Sequence, residues 1–176
     1  MVFALALLDV DLAELEDLKA HLGRVFPVRC FTILRLPKPP EEAYSPLRRQ
    51  YNSTRILSLL EVELAGVKAD RILAITGVDL YADGLNFVFG EAQFPGRIAL
   101  ISLHRLKPSY YGEGNGKLFK SRLRKEAVHE LGHTFGLPHC PNPACVMHFS
   151  NSIWDTDRKG ETPCASCAER LRRLLQ

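Results

Sequence analysis

Short apolar segments alternate with helical patterns along the first half of the chain, and this alternation restricts the possible folds more than any other feature. Strands are predicted from runs of apolar, β-branched and aromatic residues at 2–8, 28–36, 70–76, 86–89 and 97–106. Helices are predicted from apolar stripes at 11–24 (with Asp11 as its cap), 46–65, 121–135 and 165–175. Helices that cross between the first three strands imply parallel pairing, and the closely spaced later strands imply an antiparallel edge strand. The pattern predicts an α/β fold with a mixed twisted sheet.

The size and charge of the chain restrict its class. A length of 176 residues suits one domain, and 46% hydrophobic with 24% charged residues is ordinary for a soluble globular protein. The formal net charge of +3 is too small to indicate a nucleic-acid partner. Basic residues gather between Lys117 and Lys125 and again between Arg170 and Arg173, where interleaved apolar residues favour a solvated helix face.

The N-terminal segment and the cysteines bear on the cellular compartment. Residues 1–9 are apolar, but they lack the basic start and the longer apolar run of a signal peptide, so we interpret them as a buried strand. No window of about 18 apolar residues indicates a membrane span. The protein is predicted to be cytoplasmic, where clustered cysteines more often bind metal than form disulfides. Cys30 stands alone in a strand and is predicted to be buried.

A histidine pattern near residue 130 predicts a catalytic metal site. His129 and His133 are four residues apart on a predicted helix, so their imidazoles lie on one face and can meet one cation. Gly136 can adopt positive φ and end the helix, and Pro138 opposes its continuation, which lets His139 turn back toward the metal. Three nitrogen ligands with a vacant fourth position are typical of catalytic zinc. The shorter HExxH pattern alone would carry little weight, because it also occurs by chance.

Glu130 follows the first histidine ligand and points away from the ligand face. A carboxylate there is predicted to be the general base that takes a proton from the zinc-bound water, whose pKa zinc lowers to about 7. The same metal would polarise the scissile carbonyl and stabilise its developing negative charge. The chain is therefore predicted to be a zinc-dependent hydrolase that cleaves peptide bonds.

Four of the five cysteines predict a second, structural zinc site. They are spaced C-x4-C and C-x2-C, and they are Cys140, Cys145, Cys164 and Cys167. Two such pairs fill a tetrahedral four-thiolate site with Zn–S distances of about 2.3 Å, whereas the alternatives are two disulfides or reactive thiols. The expected cofactors are thus two Zn²⁺ per chain, one catalytic and one structural. Because His139 and Cys140 are adjacent, we expect the structural zinc to preorganise the catalytic site and to stabilise a loop-rich C-terminal segment.

These residues closely resemble the archaemetzincin family of metzincin zinc metallopeptidases. That family joins HExxHxxGxxH to a C-x4-C-x-M element and a later C-x2-C, which here occupy residues 129–167. Residues 50–52, 79–81 and 85–90 also look similar, so the likeness covers most of the chain. The resemblance implies that Met147 forms the methionine turn beneath the metal. From the sequence alone, Met147 would be a filler of the core.

The resemblance also suggests how a substrate binds. Metzincin-like peptidases bind an extended peptide beside an edge strand above the active-site helix, and Arg97–Leu106 is the candidate strand. Phe149–Trp154 is the candidate wall of the pocket for the first residue after the cut. Some metzincins use a tyrosine after the methionine turn to assist the oxyanion. No tyrosine follows Tyr111 here, and His148 is the candidate replacement.

The expected organisation is a single metalloprotease domain over 1–176. Its α/β part, 1–136, includes the active-site helix, and its part 137–176 holds the methionine turn and the four cysteines. The expected partner is a peptide or an unfolded protein, with no nucleic acid and no membrane. Two alternatives stay open: a narrow aminopeptidase or small-peptide hydrolase, and a non-catalytic zinc-binding interaction module. An acidic residue that captures a free amine would mark the first, and the intact Glu130 argues against the second.

Overall fold

A five-stranded mixed sheet forms the centre of the computed structural model, which describes residues 1–175. The strands in chain order are β1 (Val2–Leu8), β2 (Cys30–Leu36), β3 (Tyr44–Ser45), β4 (Gln50–Asn52), β5 (Arg71–Thr76), β6 (Leu80–Tyr81), β7 (Gly90–Ala92) and β8 (Ile98–Ser102). The helices are α1 (Leu15–Val25), α2 (Ser53–Glu63), α3 (Gly116–Thr134), α4 (Ile153–Arg158) and α5 (Ala165–Leu174). Between residues 1 and 175, no helix combines the length and the apolar character needed to cross a membrane.

The main sheet has the strand order β2-β1-β5-β8-β7. The strands β2, β1, β5 and β8 are parallel, and β7 pairs antiparallel with β8 at one edge. This topology confirms the predicted α/β fold and its antiparallel edge strand. Parallel strands need crossover connections. The helix α1 connects the neighbouring strands β1 and β2, and α2 lies on the connection that runs from β2 past β1 to β5. A second, small sheet has the order β3-β4-β6.

Two apolar layers cover the two faces of the main sheet, because successive side chains of a strand point to opposite faces. One face packs on α2, through buried residues that include Ala4, Ala6, Ile72, Ala74, Ile56 and Leu60. The other face packs on α1 and α3, through residues that include Phe3, Leu5, Leu73, Ile75, Leu18 and Leu131. Val146, Met147 and Leu171 belong to this second layer. The C-terminal segment therefore shares the core of the α/β part.

Three predicted helices differ from the observed ones at their N-termini, and the one predicted at 121–135 begins earlier, at Gly116. The helix predicted at 46–65 begins only at Ser53, because residues 44–45 and 50–52 form β3 and β4 with a turn between them. The Asn52 side chain caps α2 by accepting a hydrogen bond from the Arg55 amide at 2.9 Å. Asp11 does not cap α1, because its carboxylate pairs with Arg35 at 2.8 Å and the helix starts at Leu15.

Two further predictions are wrong, and one helix was missed. The strand predicted at 86–89 lies instead at Gly90–Ala92, next to a single bridge between Leu80 and Val88. The helix α4 was not predicted, because six residues are too few to show a helical period. Cys30 is exposed rather than buried, because it begins β2 at the outer edge of the sheet.

Candidate metal centre

The end of α3 turns the chain back on itself at Gly136. The Gly136 amide donates to the His133 carbonyl at 2.8 Å, and the Leu137 amide donates to the Gly132 carbonyl at 3.1 Å. These two bonds form a Schellman closure, which requires a left-handed residue just after the helix. Gly136 has a φ of +90°, as predicted from the sequence.

This turn brings three histidines together. One nitrogen from each of His129, His133 and His139 lies within 4.8 Å of the others. The ring of His139 lies 5.3 Å from that of His129 and 4.8 Å from that of His133, between ring centroids. The three imidazoles that the sequence pattern selects therefore converge, although they come from a helix and from the loop after it.

The hydrogen bonds of two histidines leave their lone pairs directed at each other. The Nδ1 atom of His129 contacts the Val146 carbonyl at 2.8 Å, and the Nδ1 atom of His133 contacts the Leu137 carbonyl at 2.7 Å. A carbonyl only accepts, so each Nδ1 carries the proton and each Nε2 carries a lone pair. Burial lowers the pKa of His129 well below its usual value and that of His133 to about 4, which keeps both rings neutral.

A cation explains this arrangement. The two Nε2 atoms lie 3.1 Å apart, where two lone pairs repel unless a positive ion lies between them. Tetrahedral zinc with Zn–N distances of about 2.0–2.1 Å separates its nitrogen ligands by about 3.3 Å. The donor set and its spacing therefore fit zinc, with the carbonyl contacts fixing the orientation of the rings.

Comparison with known proteins gives a family. The profile of Peptidase family M54 matches residues 21–173. The chain belongs to this family. An archaemetzincin of Pyrococcus furiosus is 52% identical over 134 residues, which are 76% of this chain and 70% of that protein. The crystal structure of an archaemetzincin from Methanopyrus kandleri has a TM-score of 0.84 and 40% identity, covering 99% of this chain and 95% of that one. A zinc-dependent peptidase from Methanocorpusculum labreanum has a TM-score of 0.84 and 27% identity, over 97% of this chain and all of that one.

In this M54 chain, Glu130 lies buried against the backbone of β7. A Cβ atom added at Gly90 would lie 2.7 Å from Glu130 Cγ and 2.9 Å from its Oε1. Burial raises the pKa of the Glu130 carboxyl well above its usual value, and the nearby Glu126 carboxylate adds to this effect while Lys159 opposes it. Only glycine leaves room for this packing, and sequence reasoning did not assign Gly90 a role.

A cavity of about 570 Å³ lies beside the three histidines and Glu130. Its wall includes β7, which is the edge strand next to α3. The predicted candidate for the edge strand, Arg97–Leu106, is wrong, since β8 within it is paired on both sides. Phe149, Ser150 and Asn151 also line the cavity, whereas Trp154 is not in its lining and is 63% exposed.

Met147 is fully buried beneath the helix that carries two of the histidines. A Cβ atom added at Gly132 would lie 2.6 Å from the Met147 sulfur and 3.0 Å from its terminal methyl group. The Met147 carbonyl accepts the Cys140 amide at 2.9 Å. The methionine thus packs on the helix between the two histidine positions and also joins the backbone that follows His139.

The four cysteines converge on one point. One sulfur from each of Cys140, Cys145, Cys164 and Cys167 lies within 4.8 Å of the others, and the sulfurs of Cys140 and Cys164 are 3.9 Å apart. All the cysteines in the chain are free thiols, so the structure contradicts a disulfide pairing of this group. The backbone amide of Cys167 lowers the pKa of the Cys164 thiol to about 7. Tetrahedral zinc with four thiolates separates the sulfurs by about 3.8 Å, which this donor set fits.

Two basic residues of α3 are buried against α4. Arg122 has no exposed side-chain surface and donates two bonds of 2.7 Å to the Asp157 carboxylate. Lys125 is also buried and donates to the carbonyls of Thr156 at 3.0 Å and Asp157 at 2.9 Å. The prediction of a solvated helix face is therefore wrong for these two residues, because the helix that covers them was not predicted.

A buried ion pair borders the cavity. Lys159 contacts Glu126 at 3.0 Å, and both side chains are almost inaccessible to solvent. Glu126 lies one helical turn before Glu130, and both members of the pair line the cavity. His148 instead contacts the Cys140 carbonyl through Nδ1 at 2.9 Å and is not among the described residues that line the cavity. This position does not favour the predicted role of His148, which was to stabilise the oxyanion in place of a tyrosine.

Proposed function

We propose that His129, His133 and His139 bind the catalytic zinc of this peptidase and that Glu130 is its general base. The observation that carries the proposal is the convergence of two unprotonated Nε2 atoms and a third imidazole beside a buried carboxylate in one cavity. A purely structural zinc site would fill its fourth position with a protein ligand. The described histidine cluster offers three nitrogen atoms that could bind a metal.

The residues around the site divide the chemistry between them. Zinc, when bound, acts as a Lewis acid toward water and the peptide carbonyl. Glu130 accepts the proton from the attacking water and passes it to the nitrogen of the leaving amine. Its raised pKa suits both steps, because the carboxyl group must take up a proton and release it near neutral pH. Gly90 holds the carboxylate in place by letting β7 approach it closely.

The free edge of β7 supports a mode of substrate binding. One side of β7 pairs with β8, and the other side is the end of the main sheet. An extended peptide can add to this edge through main-chain hydrogen bonds and direct its side chains into the cavity. The substrate class is therefore a peptide or an unfolded protein segment.

The alternative of a narrow aminopeptidase needs an acidic residue that is free to bind an amine. Glu91 lines the cavity, but its carboxylate already accepts hydrogen bonds from the hydroxyl groups of Ser53 and Thr54. This engagement favours the broader peptidase. A non-catalytic zinc-binding module would not need a buried carboxylate beside its metal ligands, so the position of Glu130 favours an enzyme.

Exchange of the general base tests the proposal. Glu130→Gln should keep the bound zinc and lower kcat on a quenched-fluorescent peptide library by about 10²–10⁴. The matched control is Glu61→Gln, an exposed glutamate on α2, which should behave as the wild type. Unchanged hydrolysis by Glu130→Gln would exclude the mechanism, and wild-type protein that holds zinc but cleaves nothing in the library would favour the non-catalytic module.

We also propose that the four cysteines bind a second zinc, which gives two per chain. Native mass spectrometry of the intact protein should find two metals, and Cys164→Ala should remove one of them. We expect Cys164→Ala also to weaken the catalytic site about 10–100-fold, because Cys140 adjoins His139 and Val146 accepts a hydrogen bond from His129. Unaltered affinity of the histidine site in this variant would refute the connection.

The same arguments extend to organisation and compartment. The shared core of the two parts supports one metalloprotease domain over 1–176. The free thiols at metal-binding spacing support a reducing compartment such as the cytoplasm. The low net charge of +3 supports a protein that does not act on nucleic acid. Fractionation of the source cells tests the compartment.

A further inference from the structure

One wall of the cavity is a loop with little regular structure. Residues 82–89, called the rim loop here, lead into β7, and most of them line the cavity. Leu85 is 44% exposed. The main-chain hydrogen bonds of the loop are few. The Leu85 amide donates to the Ala82 carbonyl at 3.0 Å, the Val88 amide donates to the Leu80 carbonyl at 3.0 Å, and the Phe89 carbonyl accepts from the Ser102 amide at 2.8 Å. Side chains from outside the loop must therefore supply much of its order.

Arg105 holds the loop from one side. Its guanidinium group makes two parallel bonds to the Asp79 carboxylate, at 2.7 and 2.8 Å, with side chains that are 21% and 14% exposed. The same guanidinium lies 4.3 Å from the centre of the Phe87 ring, and Phe87 in turn packs edge-on against Phe89 at 5.2 Å. An arginine has the planar shape that both contacts need, so a lysine cannot replace it.

The small sheet holds the loop from the other side. Arg48 donates to the carbonyls of Leu85 at 2.8 Å and Asn86 at 3.1 Å, and its guanidinium lies 4.4 Å from the ring of Tyr81. Gln50, which is buried, donates to the Asp79 carboxylate at 3.1 Å and to the Asn86 carbonyl at 3.1 Å. Arg48 and Gln50 therefore contact the backbone of the loop directly, whereas Arg105 acts on the loop through the Phe87 ring and through the Asp79 carboxylate that Gln50 also binds.

The charges of this network favour its formation. Burial alone would raise the pKa of Asp79, but the hydrogen bonds and the positive charge of Arg105 bring that pKa below its usual value. The carboxylate is thus ionised and paired at neutral pH, and charge-assisted bidentate pairs are among the stronger hydrogen bonds in proteins. The catalytic residues are not members of this network, so the network can order the loop independently of the metal.

We propose that Arg105 and Arg48 are positioning residues that fix the rim loop in the conformation that binds a peptide. The claim rests on the proposed peptidase function only for its kinetic consequence. The small sheet then has a purpose: it supports the cavity wall that Leu85 and Phe87 form. Neither arginine takes part in bond cleavage.

Hydrogen exchange and kinetics together test the proposal. In Arg105→Met, the amides of residues 82–89 should exchange at least about tenfold faster, because the charged hydrogen bonds to Asp79 and the contact with the Phe87 ring are lost. The amides of the metal-binding helix α3 should stay protected. KM for a peptide substrate should rise about fivefold or more with kcat within about twofold of wild type, the pattern of lost substrate binding. Bound zinc should not change.

Three further variants make the result decisive. Arg105→Lys should fail to restore KM, and Arg48→Met, which alters an exposed side chain and preserves folding, should show the same exchange and KM effects in a milder form. Arg35→Met removes an exposed arginine in a surface pair with Asp11 and should match the wild type.

The outcomes separate the two levels of the argument. Unchanged exchange of the loop in both Arg105→Met and Arg48→Met would overturn the positioning role, and so would a fall in kcat with loss of zinc. If the loop exchanges faster in the arginine variants but the wild-type protein cleaves no peptide, the positioning role is supported and the peptidase function is excluded.

Discussion

Replacement of Gly90 by alanine should displace Glu130, the proposed general base, without touching a proposed metal ligand. The added Cβ atom would lie 2.7 Å from Glu130 Cγ and 2.7 Å from the carbonyl oxygen of Leu100. Ordinary contact begins at 3.4 Å, so the neighbours must give by roughly 0.7 Å. The Leu100 carbonyl belongs to the paired strand β8 and has little freedom, so the Glu130 side chain or the whole of β7 must move.

The size of the effect follows from this displacement. A misplacement of about 1 Å in a catalytic site costs about 10²-fold in rate, so kcat of Gly90→Ala should fall by about that factor. The overpacking should also lower the free energy of unfolding by about 1–3 kcal/mol. Bound zinc should stay at the wild-type level, because none of the three histidines contacts the added methyl group among the nearest atoms.

The assay combines peptide cleavage, metal analysis and urea denaturation on the same preparations. Gly114→Ala is the matched control, since no atom lies within 4 Å of its added Cβ and its φ is not positive. If Gly90→Ala retains kcat within about threefold of wild type, the close packing of Glu130 on β7 has no catalytic importance. A loss of activity that is accompanied by loss of zinc would mean that the histidine site, and not the base, had moved.

Other perturbations test the packing around the site. Gly132→Ala should lower the free energy of unfolding by about 1–3 kcal/mol through its clash with Met147. Met147→Ala alone is also destabilising because that side chain is buried, but the double variant should lose less than the sum of the two single losses. Urea denaturation measures all three variants, and additive losses would contradict the contact. Lys159→Met should lower the free energy of unfolding by about 3–5 kcal/mol, because the Glu126 carboxylate is left buried without its charge partner. Adding Glu126→Gln should recover most of that loss. A Lys159→Met variant as stable as the wild type would show that the ion pair is not needed for stability. Removal of zinc by a chelator should lower Tm and expose the segment around Cys164 to hydrogen exchange, and an unaltered melting curve would argue against a structural metal.

The sequence allowed the main sheet and the convergence of the three histidines to be predicted because their signals are local. The strands β1 and β5 are continuous apolar runs, and their observed ends lie within a residue of the predicted ones. The histidine arrangement follows from one helical turn and from the glycine at Gly136, all within eleven residues of sequence. The turn chemistry of that glycine is visible in the sequence because few other residues adopt its φ.

The missed features depend on residues that are distant in the chain. Gly90 has no local sign of its role, because the atom that it accommodates belongs to Glu130 on another element. The burial of Arg122 follows from Asp157 on a helix too short to leave a periodic pattern. A basic residue in an amphipathic stretch was interpreted as exposed by default, and only the tertiary partner reverses that interpretation. The edge position of β7 likewise comes from strand order, which the sequence does not state.

The connection between the two proposed zinc sites can be stated as an equality. Val146, whose carbonyl orients His129, lies between Cys145 and Met147, and Cys140 follows His139 directly. If binding at the cysteines tightens the histidine site by some factor, thermodynamic linkage requires that zinc at the histidines tightens the cysteine site by the same factor. Zinc titrations that begin from protein loaded at one site or the other should therefore give equal ratios of affinities. Unequal ratios would mean that the titrations did not reach equilibrium or that zinc moved from one site to the other, and two ratios of one would mean that the shared backbone carries no coupling.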